Sequence, residues 1–255
     1  MLRKNREKKL IETVNDSKYT GVVILLANIS DSLKGTEMRS GILTLRSPLR
    51  NILERYGVEY TTFKGAVIDL ETDERNFLDE CHGADRYKNH CAVCCGILDK
   101  NTVEIIAKTC NASDELFVQA VDEKLRRTNH PYYAFNVGCD MALLTKLLGR
   151  EIRFDRELQN EYESKRYVVQ NLRIPNFDDP FNGWGYLAAK EWTKHLETRE
   201  TDCVKRIIAH NLACVLKEYN ILMRRGYRGI EPSSYEAFFE GKNDLVFVRA
   251  IPKPK

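Results

Sequence analysis

The stretch Ala66-Val67-Ile68-Asp69-Leu70-Glu71-Thr72-Asp73 constrains this chain more than any other. Its apolar beginning reads as a buried strand, and the strand runs straight into two acids one residue apart. Side chains alternate along a strand, so Asp69 and Glu71 fall on one face, about 7 Å apart along the chain. Two acids at the end of a buried strand are costly unless something positive neutralises them, and a divalent cation is the usual solution. The plainer alternative is a strand that ends in a polar turn, with both acids solvated.

A second setting bears on that choice. Pro131 opens an extended aromatic run, Tyr132-Tyr133-Ala134-Phe135, which suits a pleated surface. Asn136, Val137 and Gly138 break it. Met141, Leu144, Leu147 and Leu148 then recur at helical spacing up to Gly149, a helix stop. A helix over 139–149 leaving a strand puts Asp140 in its first turn. Asp140 or Asn136 can cap that helix. Alternatively, Asp140 faces Asp69 and Glu71 across neighbouring strand ends and completes a cage for Mg²⁺ or Mn²⁺.

These residues carry a resemblance. Asp69-Leu70-Glu71 is similar to the first motif of the DEDD superfamily of 3′→5′ exonucleases, and Asn136-x-x-x-Asp140-x-x-x-Leu144 resembles the second. The likeness is greatest to the YprB-like branch, whose third motif, His-Asn-x-x-Asp, is matched by His210-Asn211-Leu212-Ala213 up to Cys214. Gly185-Tyr186-Leu187-Ala188 with Trp192, and the lead-in Gly35-Thr36-Glu37 to Gly41 with Pro48-Leu49, resemble further segments of that branch. The resemblance spans residues 35 to 225. It implies an α/β, RNase H-like fold, a mixed sheet flanked by helices, with two Mg²⁺ or Mn²⁺ ions. It implies metal-dependent hydrolysis of DNA or RNA, expected as single strands, from the 3′ end. In that scheme Asp69 bridges the two ions, Glu71 and Asp140 each fix one, and His210 orients or deprotonates the attacking water. Asn136, Asn211 and Tyr186 are the expected nucleic-acid contacts.

The chain departs from the pattern at Cys214, where the family has its fourth acid. A thiol is a poor ligand for Mg²⁺, and as thiolate it favours zinc or another soft-tolerant metal. Glu218, one helical turn on, can replace the missing acid, or water can fill the place. A third outcome is an impaired site that binds nucleic acid without cutting it. A metal-dependent endonuclease is the remaining alternative.

Composition fits these readings without selecting among them. No run in the 255 residues approaches the length of a membrane span, and Val22–Ala27 reads as a short buried strand. The basic start, Arg3-Lys4 through Lys8-Lys9, lacks the hydrophobic core of a signal peptide, so a cytoplasmic protein is expected. A net charge of +3 does not by itself point to nucleic acid. Lys124-Arg126-Arg127, Lys205-Arg206 and Arg224-Arg225-Arg228 are local candidates for phosphate contact, or solvated helix ends. Of eight cysteines, Cys91, Cys94 and Cys95 with His90, Cys81 and His82 invite a zinc reading. Yet 90–98 reads as a strand with Cys91 and Cys95 on one face and Cys94 on the other, which suits packed thiols better than a zinc knuckle.

The expected organisation is a lead-in segment (1–62) packing on the core, an RNase H-like domain (63–228) and a C-terminal tail (229–255). The lead-in has a polar helix near 2–15, strands near 20–27 and 41–46, and a helix that Ser47 and Pro48 begin. Strands near 64–71, 90–98 and 102–109 form an antiparallel meander. A helix near 113–128, capped by Ser113, turns Leu116, Phe117, Ala120, Val121 and Leu125 inward. Residues 151–183 hold an edge strand at Tyr167-Val168-Val169 and a loop near the site. Helices at 184–198 and 201–225 close the core.

Overall fold

In the computed structural model the apolar run becomes a central strand, Ala66–Thr72 (β3), in a seven-stranded sheet. The structure describes residues 37–39, 41–73, 87, 89–160 and 163–225. The expected helix near 2–15, the strand near 20–27, Cys81, His82, Arg228 and the tail at 229–255 lie outside them. The other strands are Glu37–Arg39 (β1), Ile42–Pro48 (β2), Ala92–Asp99 (β4), Thr102–Lys108 (β5), Tyr132–Ala134 (β6) and Arg156–Glu157 (β7). Their order across the sheet is β1-β2-β5-β4-β3-β6-β7. β3, β4 and β5 form the expected antiparallel meander, whereas β6 runs parallel to β3 and β7 parallel to β6. This mixed sheet, with helices on both faces, is an RNase H-like α/β fold. In the described part of the lead-in, β2 pairs with β5 over its whole length and β1 pairs with β2, so these two strands belong to the same sheet.

Six helices lie among the described residues, in chain order: Leu49–Arg55 (α1), Asp114–Arg126 (α2), Val137–Leu148 (α3), Lys165–Asn171 (α4), Tyr186–Thr198 (α5) and Thr201–Arg224 (α6). The strands bury both faces and build two cores. Ile68, Leu70, Cys95 and Ile97 pack with Phe117 and Val121 of α2 and Leu143 and Leu144 of α3. On the opposite face Val67, Cys94 and Leu98 pack with Trp192 of α5 and Leu212 and Val215 of α6. Each fully buried aliphatic side chain contributes about 1.5–3 kcal/mol. α6 is buried continuously from Ile207 to Met223, including His210, Asn211, Lys217 and Glu218. Polar groups so deep must find partners, and those partners make the site.

Local details depart from expectation. Ser47 and Pro48 close β2 instead of opening a helix; α1 starts at Leu49, with no side-chain cap. Ser113 does cap α2 by accepting from Leu116 N, but Leu116 itself points outward, 38% exposed. The apolar stripe is narrower than the sequence suggests, since Phe117, Val121 and Leu125 already fill the contact with the sheet. Tyr167-Val168-Val169 forms no strand. Ser164 accepts a hydrogen bond from Tyr167 N and caps α4, whose only buried residue is Val168. A segment with one inward side chain fits a single helical face better than a pleated edge. The edge strand is β7 instead.

Candidate active site

Asp69 and Glu71 sit on the α6 face of β3, both buried. α6 approaches unusually closely because its neighbour on β4 is Gly96. A Cβ there would lie 2.2 Å from Asn211 Oδ1, so any side chain at this position would push Asn211 aside. The close approach lets the Asn211 amide donate to Asp69 Oδ2 (2.8 Å) and to its backbone carbonyl (3.1 Å). Asn211 is thus fully buried and fixes an acid; the expected contact with nucleic acid is not available to it.

Asp140 reaches the same place from the other side of the sheet edge. β6 pairs with β3 only at Ala66 and Val67, so further along the β3 backbone needs another partner. Asp140 supplies it, accepting from Leu70 N at 3.1 Å. Asn136, not Asp140, caps α3, accepting from Cys139 N at 3.2 Å. Asn136 stays exposed at the mouth of the cleft. Glu218, fully buried on α6, accepts from Phe135 N at 3.2 Å.

Four acids therefore converge, and Lys165 lies among them. Its Nζ donates to Asp69 Oδ1 at 2.7 Å and lies 2.6 Å from Glu218 Oε1 as a charge contact. Burial, together with the neighbouring Asp69 charge, pushes the Asp140 carboxyl well above the ordinary range. Burial likewise raises Glu71 and Glu218, although His210 opposes this at Glu71 and Lys165 at Glu218. At Lys165 burial disfavours the charge, yet Asp69, Cys214 and Glu218 outweigh it and raise its pKa. One lysine does not balance this many carboxylates. The donor set is oxygen-rich and negative, so it fits a divalent cation at Asp69, Glu71, Asp140 and Glu218.

His210, one turn before Cys214, is held by a residue the sequence did not single out. Asp179 Oδ1 lies 2.7 Å from His210 Nδ1, and Lys217 Nζ donates to Asp179 Oδ2 at 2.5 Å. The same carboxylate accepts from Phe181 N (2.9 Å) and Gly183 N (2.8 Å). Burial opposes the Asp179 charge, but His210 and Lys217 outweigh it and hold the carboxyl well below its ordinary value. Burial also opposes charge on His210, and Glu71 and Asp179 raise its pKa nonetheless. With Nδ1 engaged, Nε2 points to Glu71 Oε1 (3.6 Å) and Cys214 Sγ (3.7 Å). Burial raises the Cys214 thiol, so it is not an activated nucleophile here.

The loop carrying Asp179 is strained. Phe177, Asp178 and Asn182 all have positive φ, a cost of order 1–3 kcal/mol each. Buried Phe177 anchors it edge-on against Tyr56 (5.0 Å), whose hydroxyl donates to Asp178 at 3.0 Å. Asp179-Pro180-Phe181-Asn182-Gly183 is legible as a turn. Nothing in that turn announces its histidine partner, 31 residues later. Lys165 carried still less signal, since a lysine at a helix start is ordinarily solvated.

Asp69, Glu71, Asp140, Lys165, His210 and Cys214 all line one open cleft of about 1090 Å³. Trp184 and Tyr186, both more than two-fifths exposed, stand at its rim. Arg166 lies over the Trp184 ring at 4.8 Å, and Arg173 and Lys217 also line the cleft. Lys124 is buried against Asp99 and Glu104, Arg126 pairs with Asp122, Lys205 with Asp202, Arg206 with Glu191 and Arg225 with Glu163. None of them lines the cleft. Cys94 and Cys95 are free, buried on opposite faces of β4. Among the described residues no helix is long and apolar enough to cross a membrane.

Fold and site together define a class: an RNase H-like α/β protein with a buried acid cluster at the open end of its central strand. No protein-family model, curated protein or solved structure matches the chain.

Proposed function

We propose that this protein is a metal-dependent 3′→5′ exonuclease acting on single-stranded nucleic acid. The observation that carries the reading is the convergence of Asp69, Glu71 and Asp140 on a cleft rimmed by exposed aromatic and basic side chains, with Glu218 buried behind them and joined to Asp69 through Lys165. A pair of Mg²⁺ or Mn²⁺ ions, when bound, would hold the attacking and leaving oxygens and offset the charge growing on the phosphate. The four acids would hold the ions. Asp179 fixes the His210 ring, so that Nε2 takes up or delivers a proton in the cleft. Trp184 and Tyr186 offer faces on which bases stack, and Arg166 and Arg173 meet the backbone phosphates.

Incubation with end-labelled single- and double-stranded DNA and RNA, with Mg²⁺, Mn²⁺ or chelator, tests the reading. A ladder shortening from the 3′ end, abolished by chelator and by Asp69→Asn or Asp140→Asn in folded protein, is expected. Cleavage inside strands would replace it with an endonuclease. A second reading rests on Lys165, which already contacts two of the acids. In this reading the protein binds single strands without cutting them, and binding without cleavage in every metal is its outcome.

A further inference from the structure

We infer that Glu71, His210 and Cys214 form a second seat, sharing Glu71 with the acid cluster, for a borderline transition-metal ion of the Zn²⁺ type. The proposal rests on the cleft being a metal centre and adds which ion one part of it selects. His210 Nε2 stands 3.6 Å from Glu71 Oε1 and 3.7 Å from Cys214 Sγ, and all three ligand atoms lie within 4.8 Å of one another. Ligand atoms about 2.0–2.3 Å from a tetrahedral ion sit roughly 3.3–3.7 Å from one another. The three side chains therefore need only small adjustments to close on such an ion.

Three further features point to a site rather than a chance cluster. The donors are one oxygen, one nitrogen and one sulfur, a set suited to Zn²⁺ or Co²⁺ and poorly suited to Mg²⁺. Asp179 engages Nδ1 at 2.7 Å and leaves Nε2 as the ligand nitrogen, the carboxylate–histidine arrangement that orients metal-bound imidazoles. All three residues line the cleft, so a fourth coordination position opens to solvent or substrate. On binding, Cys214 gives up its thiol proton, and His210 any proton on Nε2, to the buffer. An ion on Nε2 also removes that nitrogen from proton transfer, so zinc opposes cleavage supported by magnesium.

The full chain, stripped with chelator and kept reduced, is titrated with Co²⁺ while its absorbance is followed. Wild type is expected to develop a thiolate-to-cobalt charge-transfer band together with tetrahedral visible bands, both abolished by added Zn²⁺. Cys214→Ser should lose the charge-transfer band. Glu71→Gln and Asp179→Asn should keep it and bind cobalt about 10–100-fold more weakly. Absence of the band in wild type, or its persistence in folded Cys214→Ser, overturns the proposal. Should Cys214→Ser unfold by circular dichroism, the other two variants decide, and unchanged cobalt affinity in both overturns it. The readout is absorbance, so failure of this seat is distinguishable from failure of the exonuclease reading, which magnesium-dependent cleavage reports separately.

Discussion

His210 sits at the centre of a chain of contacts, with Asp179 and Lys217 behind its Nδ1 and Glu71 and Cys214 before its Nε2. Asp179→Asn keeps the shape but removes the charge that fixes the ring. Cleavage should fall about 10–100-fold, and NMR titration should show the His210 pKa moving down. The buried acids make a second prediction. Glu71, Asp140 and Glu218 have folded pKa values raised above their unfolded ones, so each costs stability progressively as pH rises from the ordinary carboxylate range up to the raised value. His210, also raised, stabilises below its unfolded value near 6.5 and loses that contribution as pH climbs through the folded one. Both effects act in the same direction. Asp179, held low, keeps its contribution across this range and loses it only in acid below the ordinary aspartate range. In chelator, Tm should therefore fall as pH rises above about 4.5, where the unfolded acids ionise, and fall further above about 6.5, where the unfolded histidine loses its proton; Asp140→Asn should flatten the slope. A Tm that rises with pH across that window would contradict the buried charges. At this scale the acids were legible, because apolar flanks expose their cost. Asp179 and Lys165 were not, because their partners lie 31 and 96 residues away in sequence.

Among the elements, β4 and α6 decide how deep the site lies. Gly96→Ala puts a methyl group where the Asn211 side chain stands. It should destabilise the protein by about 1–3 kcal/mol by overpacking and slow cleavage by dislodging Asn211 from Asp69; denaturant titration and rate together check this. The rim is independent of that packing. Trp184→Ala, at a half-exposed residue, should leave Tm unchanged. Binding of single strands, read by fluorescence anisotropy, should weaken by roughly 5–150-fold, the worth of one stacked base at about 1–3 kcal/mol. Long periodic elements such as α2, α3 and α6 follow from their apolar spacing, whereas α4 is a helix where Tyr167-Val168-Val169 suggests a strand. Seven residues with one buried side chain carry too little periodicity to separate the two.

At the scale of the whole molecule, the sheet order explains why distant residues meet. β3 is flanked by antiparallel β4 and parallel β6, and β6 ends its pairing early, so the carboxyl end of β3 opens at the point where α3 begins and α6 crosses. The meander and the strand–helix unit could be read from turn residues and periodicity. The pairing of β2 with β5, which draws the lead-in segment into the sheet, could not, because register between remote strands leaves no local mark. Lys165 gives this architecture a consequence in time. Its ammonium already contacts the carboxylates an incoming ion would use, and it is mounted at the start of a one-face helix. Under the proposed function, loading would be an exchange, in which one resident leaves before another settles. The pace of activation would then follow the release of the lysine from its two carboxylates, and how often it comes back.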